Sequence, residues 1–300
     1  MDDLSLLKYY KSSDVLRLNE VKIPYVELWY GGKEGVSEKD LSCFLMSENF
    51  IIDPKIAEKI DELKNSIDLG NIQDNVLARL HHFKYKNGKL ELYFQKTSYE
   101  YFYLTNFQLD QKLDNWKDCL RDIIAPDPLH FLDSPLNFCG NPLGVNAIIE
   151  TADNPPVIVL QKRTEQVATD KNVFGSSVGG SLEIIEGKPI SLYDTLREEM
   201  REELGLLRDD IQDIKLVSIF RELQNGGKPT AYFKITTKNT LKEIQNVVEK
   251  NEFQDGWEFN DLKDIMPSEN IINKMIFSGY IDKTKLATST RCCLYYYKKN

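Results

Sequence analysis

Glu199, Glu202 and Glu203 are the residues of this 300-residue chain best spaced to do chemistry. At about 3.6 residues per turn, positions i, i+3 and i+4 project to one side of a helix. Carboxylates held that close repel one another, by roughly 0.2–0.5 kcal/mol per pair. A hard divalent cation removes the repulsion. Mg2+ prefers oxygen ligands and keeps several waters, which leaves room for substrate phosphates. A helix face rich in Glu and Arg is, by itself, more often solvated surface. The context of the three acids therefore decides.

The helix that must carry them is legible. Ser191 followed by Asp194 reads as an N-terminal cap, with Pro189 just upstream. Leu192, Leu196, Met200 and Leu204 recur every four residues and form one apolar stripe. Gly205 offers a C-terminal stop. Upstream lie the pair Gly179-Gly180 and a loop containing Glu186.

Gly180, five residues, Glu186, and then a helix ending Glu202-Glu203-Leu204-Gly205-Leu206 resembles the signature of the Nudix hydrolases. Glu199, Met200, Glu202, Glu203, Gly205 and Leu206 fill its second half in register. Eleven residues separate Glu186 from Glu198, so the loop is longer than the family spacing. Glu198 stands where the signature has arginine, and Arg197 and Arg201 flank it out of register. In the family that arginine supports the loop. Further stretches are similar to the Nudix branch that hydrolyses UDP-glucose and UDP-galactose. They are Asn141-Pro142-Leu143-Gly144-Val145, Glu150-Thr151-Ala152-Asp153, Gln161-Lys162-Arg163 with Val167, and Ile219-Phe220-Arg221 before a glycine turn. Thr97-Ser98-Tyr99 and Thr105-Asn106 match a pattern in that branch's N-terminal module.

The resemblance implies an α+β protein: a Nudix α/β/α sandwich with a mixed sheet over 140–300, preceded by a smaller α+β N-terminal domain over 1–135 that contributes to the substrate site. It implies Glu199 and Glu203 as main ligands of Mg2+, or of Mn2+ in its place. Glu202 would hold a second ion or act through water, and the Gly179 carbonyl would complete the shell. Arg163, Ala168 and Glu183 match substrate-side positions, and Tyr99 reaches across from the first half. Arg163 and Arg221 are candidates for gripping the diphosphate. The implied reaction converts a UDP-sugar and water to UMP and sugar 1-phosphate. Glu202 or Glu203 would accept the water's proton, with Glu222 or Glu258 as alternatives. Two rival readings remain. One is a Nudix hydrolase of another nucleoside diphosphate, such as ADP-ribose or a dinucleotide. The other is a Nudix-fold binding module without catalysis, motivated by Glu198 and the lengthened loop.

Composition excludes several classes. A net charge of −9 and a pI of about 5.1 argue against a nucleic-acid binder, which needs a basic stripe. They do not argue against a small phosphate compound, because a bound cation supplies local positive charge. Five cysteines without CxxC spacing read as a reduced, cytoplasmic protein, with adjacent Cys292 and Cys293 expected in a strand. The start lacks a basic n-region followed by an apolar run, so no signal peptide is expected. No apolar run approaches the ~20 residues of a membrane span. With three histidines, a histidine-based zinc site is not expected. The oligomeric state is left open.

The remaining elements must position the helix. Tyr25–Tyr30 reads as a strand, 54–69 as a helix, and Ala78–Tyr85 with Lys89–Phe94 as a hairpin around Asn87-Gly88. An aromatic strand is expected through Tyr103 to Thr105-Asn106, then an amphipathic helix over 111–124. Prolines punctuate 125–142, which reads as a linker. Strands are expected over 141–151, 157–161, 214–222, 230–236 and 255–260, with a helix over 240–251 and helical or irregular chain over 261–277. Residues 286–297 fit a closing helix or strand. Helices would then cover a mixed sheet, and strands of the first half could extend it.

Overall fold

The structure is a computed structural model that describes residues 15–18, 21–48, 50–67, 69, 75–124, 138–165, 171–224, 226–250 and 259–299. In chain order the first half contains β1 (Val15–Leu18), β2 (Val21–Tyr30), β3 (Leu41–Leu45), α1 (Pro54–Ser66), β4 (Val76–Lys86), β5 (Lys89–Ser98), α2 (Tyr99–Phe102) and α3 (Leu120–Ile124). The second half contains β6 (Gly144–Glu150), β7 (Ile158–Arg163), β8 (Phe174–Gly175), β9 (Val178–Ser181), α4 (Leu192–Leu204), β10 (Ile211–Glu222) and β11 (Lys228–Thr237). It closes with α5 (Leu241–Glu249), β12 (Phe259–Ile265), α6 (Glu269–Ser278), β13 (Tyr280–Ile281), β14 (Thr284–Lys285) and α7 (Thr288–Lys299).

The main sheet runs β1-β2-β10-β11-β6-β7-β12, with β8 on β7 and β9 on β6. Only β11 and β6 pair in parallel among these, so the sheet is mixed. One face carries Val145, Ala147, Ile149, Val159, Ile219 and Phe233 against α4 and α5. The other carries Ile148, Ile158, Leu160, Phe220 and Tyr232 against α6 and α7. The expected layering of helices on both faces of a mixed sheet is therefore present. No helix among the described residues is long and apolar enough to cross a membrane.

The first half is woven into this frame. β2 pairs with β10, so residues 21–30 belong to the main sheet. β3, β5 and β4 form a second sheet. Its turn has Asn87 and Gly88 at φ 53 and 78, the left-handed pair that a two-residue hairpin turn requires. Its inner residues Ala78, Leu80, Leu90, Leu92 and Phe94 share one core with α4. Asn106 holds the seam between the halves. Its Nδ2 donates to Asn141 Oδ1 at 3.0 Å and to the Gly226 carbonyl at 3.1 Å, and its Oδ1 accepts from the Asn141 N–H at 3.1 Å. It is 1% exposed, so these bonds face no competition from water. Asn106→Ala is expected to lower stability by about 2–4 kcal/mol, since three bonds are lost and their partners are left buried. A chemical-denaturation midpoint equal to wild type would remove Asn106 from this role.

Several expectations need correction. Tyr99 to Phe107 is helical, not a strand: α2 leads into a π-helical turn over Tyr103–Phe107. Ser98 Oγ accepts the Tyr101 N–H and starts the turn, and Phe102 packs on Phe107 at 4.8 Å. Only Leu120–Ile124 of the 111–124 segment is helical. Upstream, local polar contacts win. Asp110 takes the Arg121 guanidinium at 2.5 and 3.0 Å, and Asp122 takes the Cys119 N–H at 3.1 Å. Of the strand expected over 255–260, residues 259–260 belong to β12, which continues to Ile265, and 251–258 lie outside the described residues. Cys292 and Cys293 are buried in helix α7, which settles 286–297 as mainly helix. All five cysteines are free thiols, and burial pushes that of Cys139 up to about 11. Of the 125–142 linker, 125–137 lie outside the described residues.

Candidate active site

The site begins with the way α4 is held. Ser191 Oγ accepts the Asp194 N–H at 3.1 Å, and Gly205 ends the helix at φ 65. Leu192, Leu196, Met200 and Leu204 are all buried, each contributing about 1.5–3 kcal/mol. Burying that stripe turns the Glu199/Glu203 row toward the sheet, while Glu198 is exposed. Arg197 bonds Glu38 and Asp194, tying α4 to the short turn at Glu38–Asp40. That guanidinium holds the Glu38 carboxyl below the usual range.

The sheet is forked where α4 meets it. β11 pairs along the whole of β6, so β7 and β9 must share the opposite edge of β6. β9 takes Gly144–Ala147 and β7 takes Ile149–Glu150. Ser177 sits in the crotch. Its Oγ accepts the Ile149 N–H at 2.7 Å and donates to the Val159 carbonyl at 2.5 Å. Glu203 reaches into the fork and is 2% exposed. Its Oε2 accepts from Gln161 Nε2 of β7 at 3.2 Å and from the Gly179 N–H of β9 at 3.3 Å.

Glu199, one turn earlier, lies on the second glycine. A Cβ on Gly180 would stand 1.7 Å from Glu199 Oε1. On the other face of the strand, a Cβ on Gly179 would stand 2.1 Å from Asn146 Oδ1. The glycine pair thus lets two side chains close on the strand from opposite faces. Glu202 pairs with Arg201 at 2.5 Å. The expected trio is not gathered as one cage: among the described residues no three His, Cys, Asp or Glu side chains converge enough to hold a metal. The donors present still fit Mg2+, which proteins bind through one or two carboxylates with waters and substrate phosphates. Glu199 and Glu203 supply hard oxygen donors above a strand cleared of side chains.

Arg163 follows Gln161 on the same face of β7. Its stem lies over Gly175, where an added Cβ would meet Arg163 Cδ at 3.4 Å. Its Nε is buried with no hydrogen-bond partner among the described residues. A buried guanidinium N–H without an acceptor is costly, and an anionic ligand would supply the acceptor.

The other expected site residues that are described have partners of their own. Tyr99 and Glu183 meet through Asn75: the Tyr99 N–H donates to the Asn75 carbonyl at 3.1 Å, and Asn75 Nδ2 donates to Glu183 Oε1 at 2.7 Å. Arg221 is 4% exposed, and its Nε donates to the Gly227 carbonyl at 2.6 Å, the contact of a turn anchor. Glu222 accepts from Thr230 Oγ1 at 2.9 Å, and its charge helps raise the Cys292 and Cys293 thiols. That places it on the α7 face of the sheet, opposite α4. Ala168, Val167 and Glu258 lie outside the described residues. The loop between β9 and α4 is braced by β4. Ala78 N–H bonds the Leu182 carbonyl, and Ile184 N–H bonds the Val76 carbonyl, both at 2.8 Å. Gln161 went unnoticed as a site residue, although a polar residue ending the run Ile158–Leu160 was the available signal.

No protein-family profile and no curated protein sequence matches the chain. Solved structures resemble it in outline. The NUDIX domain of NrtR from Shewanella oneidensis, complexed with ADP ribose, is 15% identical over 55% of this chain and 92% of its own, with a TM-score of 0.38. A mutT/nudix family protein from Listeria innocua is 16% identical over 53% and 92%, at 0.35. A MutT NUDIX hydrolase from Burkholderia pseudomallei is 17% identical over 52% and 96%, at 0.33.

Proposed function

We propose that this chain is a Nudix-type, Mg2+-dependent hydrolase of nucleoside diphosphate sugars. It would convert UDP-glucose or UDP-galactose and water to UMP and sugar 1-phosphate. The observation that carries the reading is the pair of carboxylates on the glycine strand, Glu199 over Gly180 and Glu203 bonded to Gly179. The Arg163 Nε on β7, without a hydrogen-bond partner among the described residues, supports it. The motif resemblance supplies the sugar-nucleotide class.

Glu199 and Glu203 would hold the cation, with Glu202 joining once its Arg201 partner is released. The cation, when bound, supplies positive charge against the diphosphate and makes a nearby water more acidic. Glu202 or Glu203 accepts the proton of the attacking water on a carboxylate oxygen. The oxygen of that water forms the new P–O bond, and the oxygen bridging the two phosphorus atoms leaves with the other product. Arg163 donates charge-assisted hydrogen bonds to the phosphates. Tyr99, in a first unit over 1–135 that contributes to the site, would meet the uridine. The free cysteines support a place in the cytoplasm.

A panel of UDP-sugars, ADP-ribose and dinucleoside polyphosphates, assayed with and without Mg2+ and read by product identity, tests this. UMP and sugar 1-phosphate formed only with Mg2+ are expected. Hydrolysis of ADP-ribose with UDP-glucose untouched would overturn the substrate class. Tight nucleotide binding without turnover would replace the enzyme with a binding module.

A further inference from the structure

The geometry points to Gln161 as the residue that orients the Glu203 carboxylate and thereby sets the affinity of the site for a divalent cation. This deepens the function proposed above and rests on it.

Along β7, Ile158 and Leu160 face the α6/α7 core while Val159 faces the α4 side. Gln161 continues the Val159 face, where another apolar residue would extend the core. An amide stands there instead, 4% exposed. A buried amide without partners is destabilising, so its bond to Glu203 matters both for the amide and for the acid. Glu203 has a similar need, being a buried carboxylate.

The two donors converge on one oxygen. The Gly179 N–H belongs to the β9 backbone and cannot turn. The Gln161 amide comes from the opposite prong of the fork. An oxygen held from both prongs fixes the rotation of the carboxylate about its last bond, so the group is set before any ligand arrives. Without Gln161, this oxygen loses one of the two donors that hold it, and the rotation of the carboxylate is less restrained. Groups that act through a ligand in this way commonly change metal affinity when removed, by about 10- to 100-fold. Gln161 acts through Glu203 and is a positioning residue.

The test uses Mn2+ as the probe, with the full chain. Mn2+ affinity is measured by electron paramagnetic resonance for the wild type, Gln161→Met and Gln161→Asn. Methionine keeps the length and loses the donor. Asparagine keeps the amide but is one carbon too short, and it provides a second variant should methionine fail to fold. Both are expected to bind Mn2+ about 10- to 100-fold more weakly. Turnover of the hydrolysed nucleotide should recover as Mn2+ is raised, which a general distortion of the fold would not allow. Wild-type affinity in a folded Gln161 variant overturns the inference while leaving the proposed function standing. A wild type that binds no Mn2+ overturns both, and the separate wild-type arm tells the two failures apart.

Discussion

Glu203→Gln is expected to lower Mg2+-dependent hydrolysis by about a thousandfold, roughly 4 kcal/mol of transition-state stabilisation, while the protein stays folded. The substitution is isosteric, and the fork decides how the new amide sits. Two N–H donors, from Gln161 and Gly179, converge on the Oε2 position. The amide oxygen must take that place, because an NH2 there would face both donors. The bonds to the two strands therefore survive, weakened by loss of the charge, at a cost of about 1 kcal/mol. The amide NH2 is then left in the position of the other carboxylate oxygen, where it repels a cation. Activity and stability separate for this reason. The measurements are kcat/KM at saturating Mg2+ and the thermal midpoint. A variant as active as wild type would end the enzyme reading.

How far the sequence disclosed this arrangement depended on the range of the contacts. Helix α4 was legible because its stripe, its Ser191 cap and its Gly205 stop are all local. The Asn87-Gly88 hairpin was legible for the same reason. The segment Tyr99–Phe107 was not, because an aromatic run suits a strand as well as a helix, and the Ser98 cap that decides it acts within a single turn. Cys292 and Cys293 misled because small apolar residues suit a buried helix face equally well. The fork was beyond local reading. Gln161 and Glu203 lie 42 positions apart, and Glu183 meets Asn75 across 108. Spacing suggested three acids acting alike, but the strands divide them. Two close on the glycine pair, and the third pairs with its own neighbour, Arg201. A helical period specifies a direction of projection, whereas the sheet beneath determines which side chains find donors.

Gly180→Ala is expected to reduce Mg2+-dependent turnover by about 100-fold, the scale at which a misplacement of 1 Å is felt in catalysis, with no loss of stability. The added methyl would lie 1.7 Å from Glu199 Oε1 and 2.4 Å from its Cδ, far inside contact distance. Something must move. The strand is held by β6, since Gly180 pairs with Val145, and it has little freedom. Glu199 is the end of a long side chain on a helix face, so the carboxylate swings aside and the fold persists. The backbone raises no objection, because Gly180 is not among the glycines with positive φ. Alanine at such a position reduces the freedom of the unfolded chain, which by itself stabilises by roughly 0.4–1 kcal/mol. An unchanged or slightly raised thermal midpoint with much weaker Mg2+ dependence is the expected pair of results. A Gly180→Ala protein that turns over normally would show that Glu199 does its work from some other position, and the glycine strand would lose its place at the centre of the site.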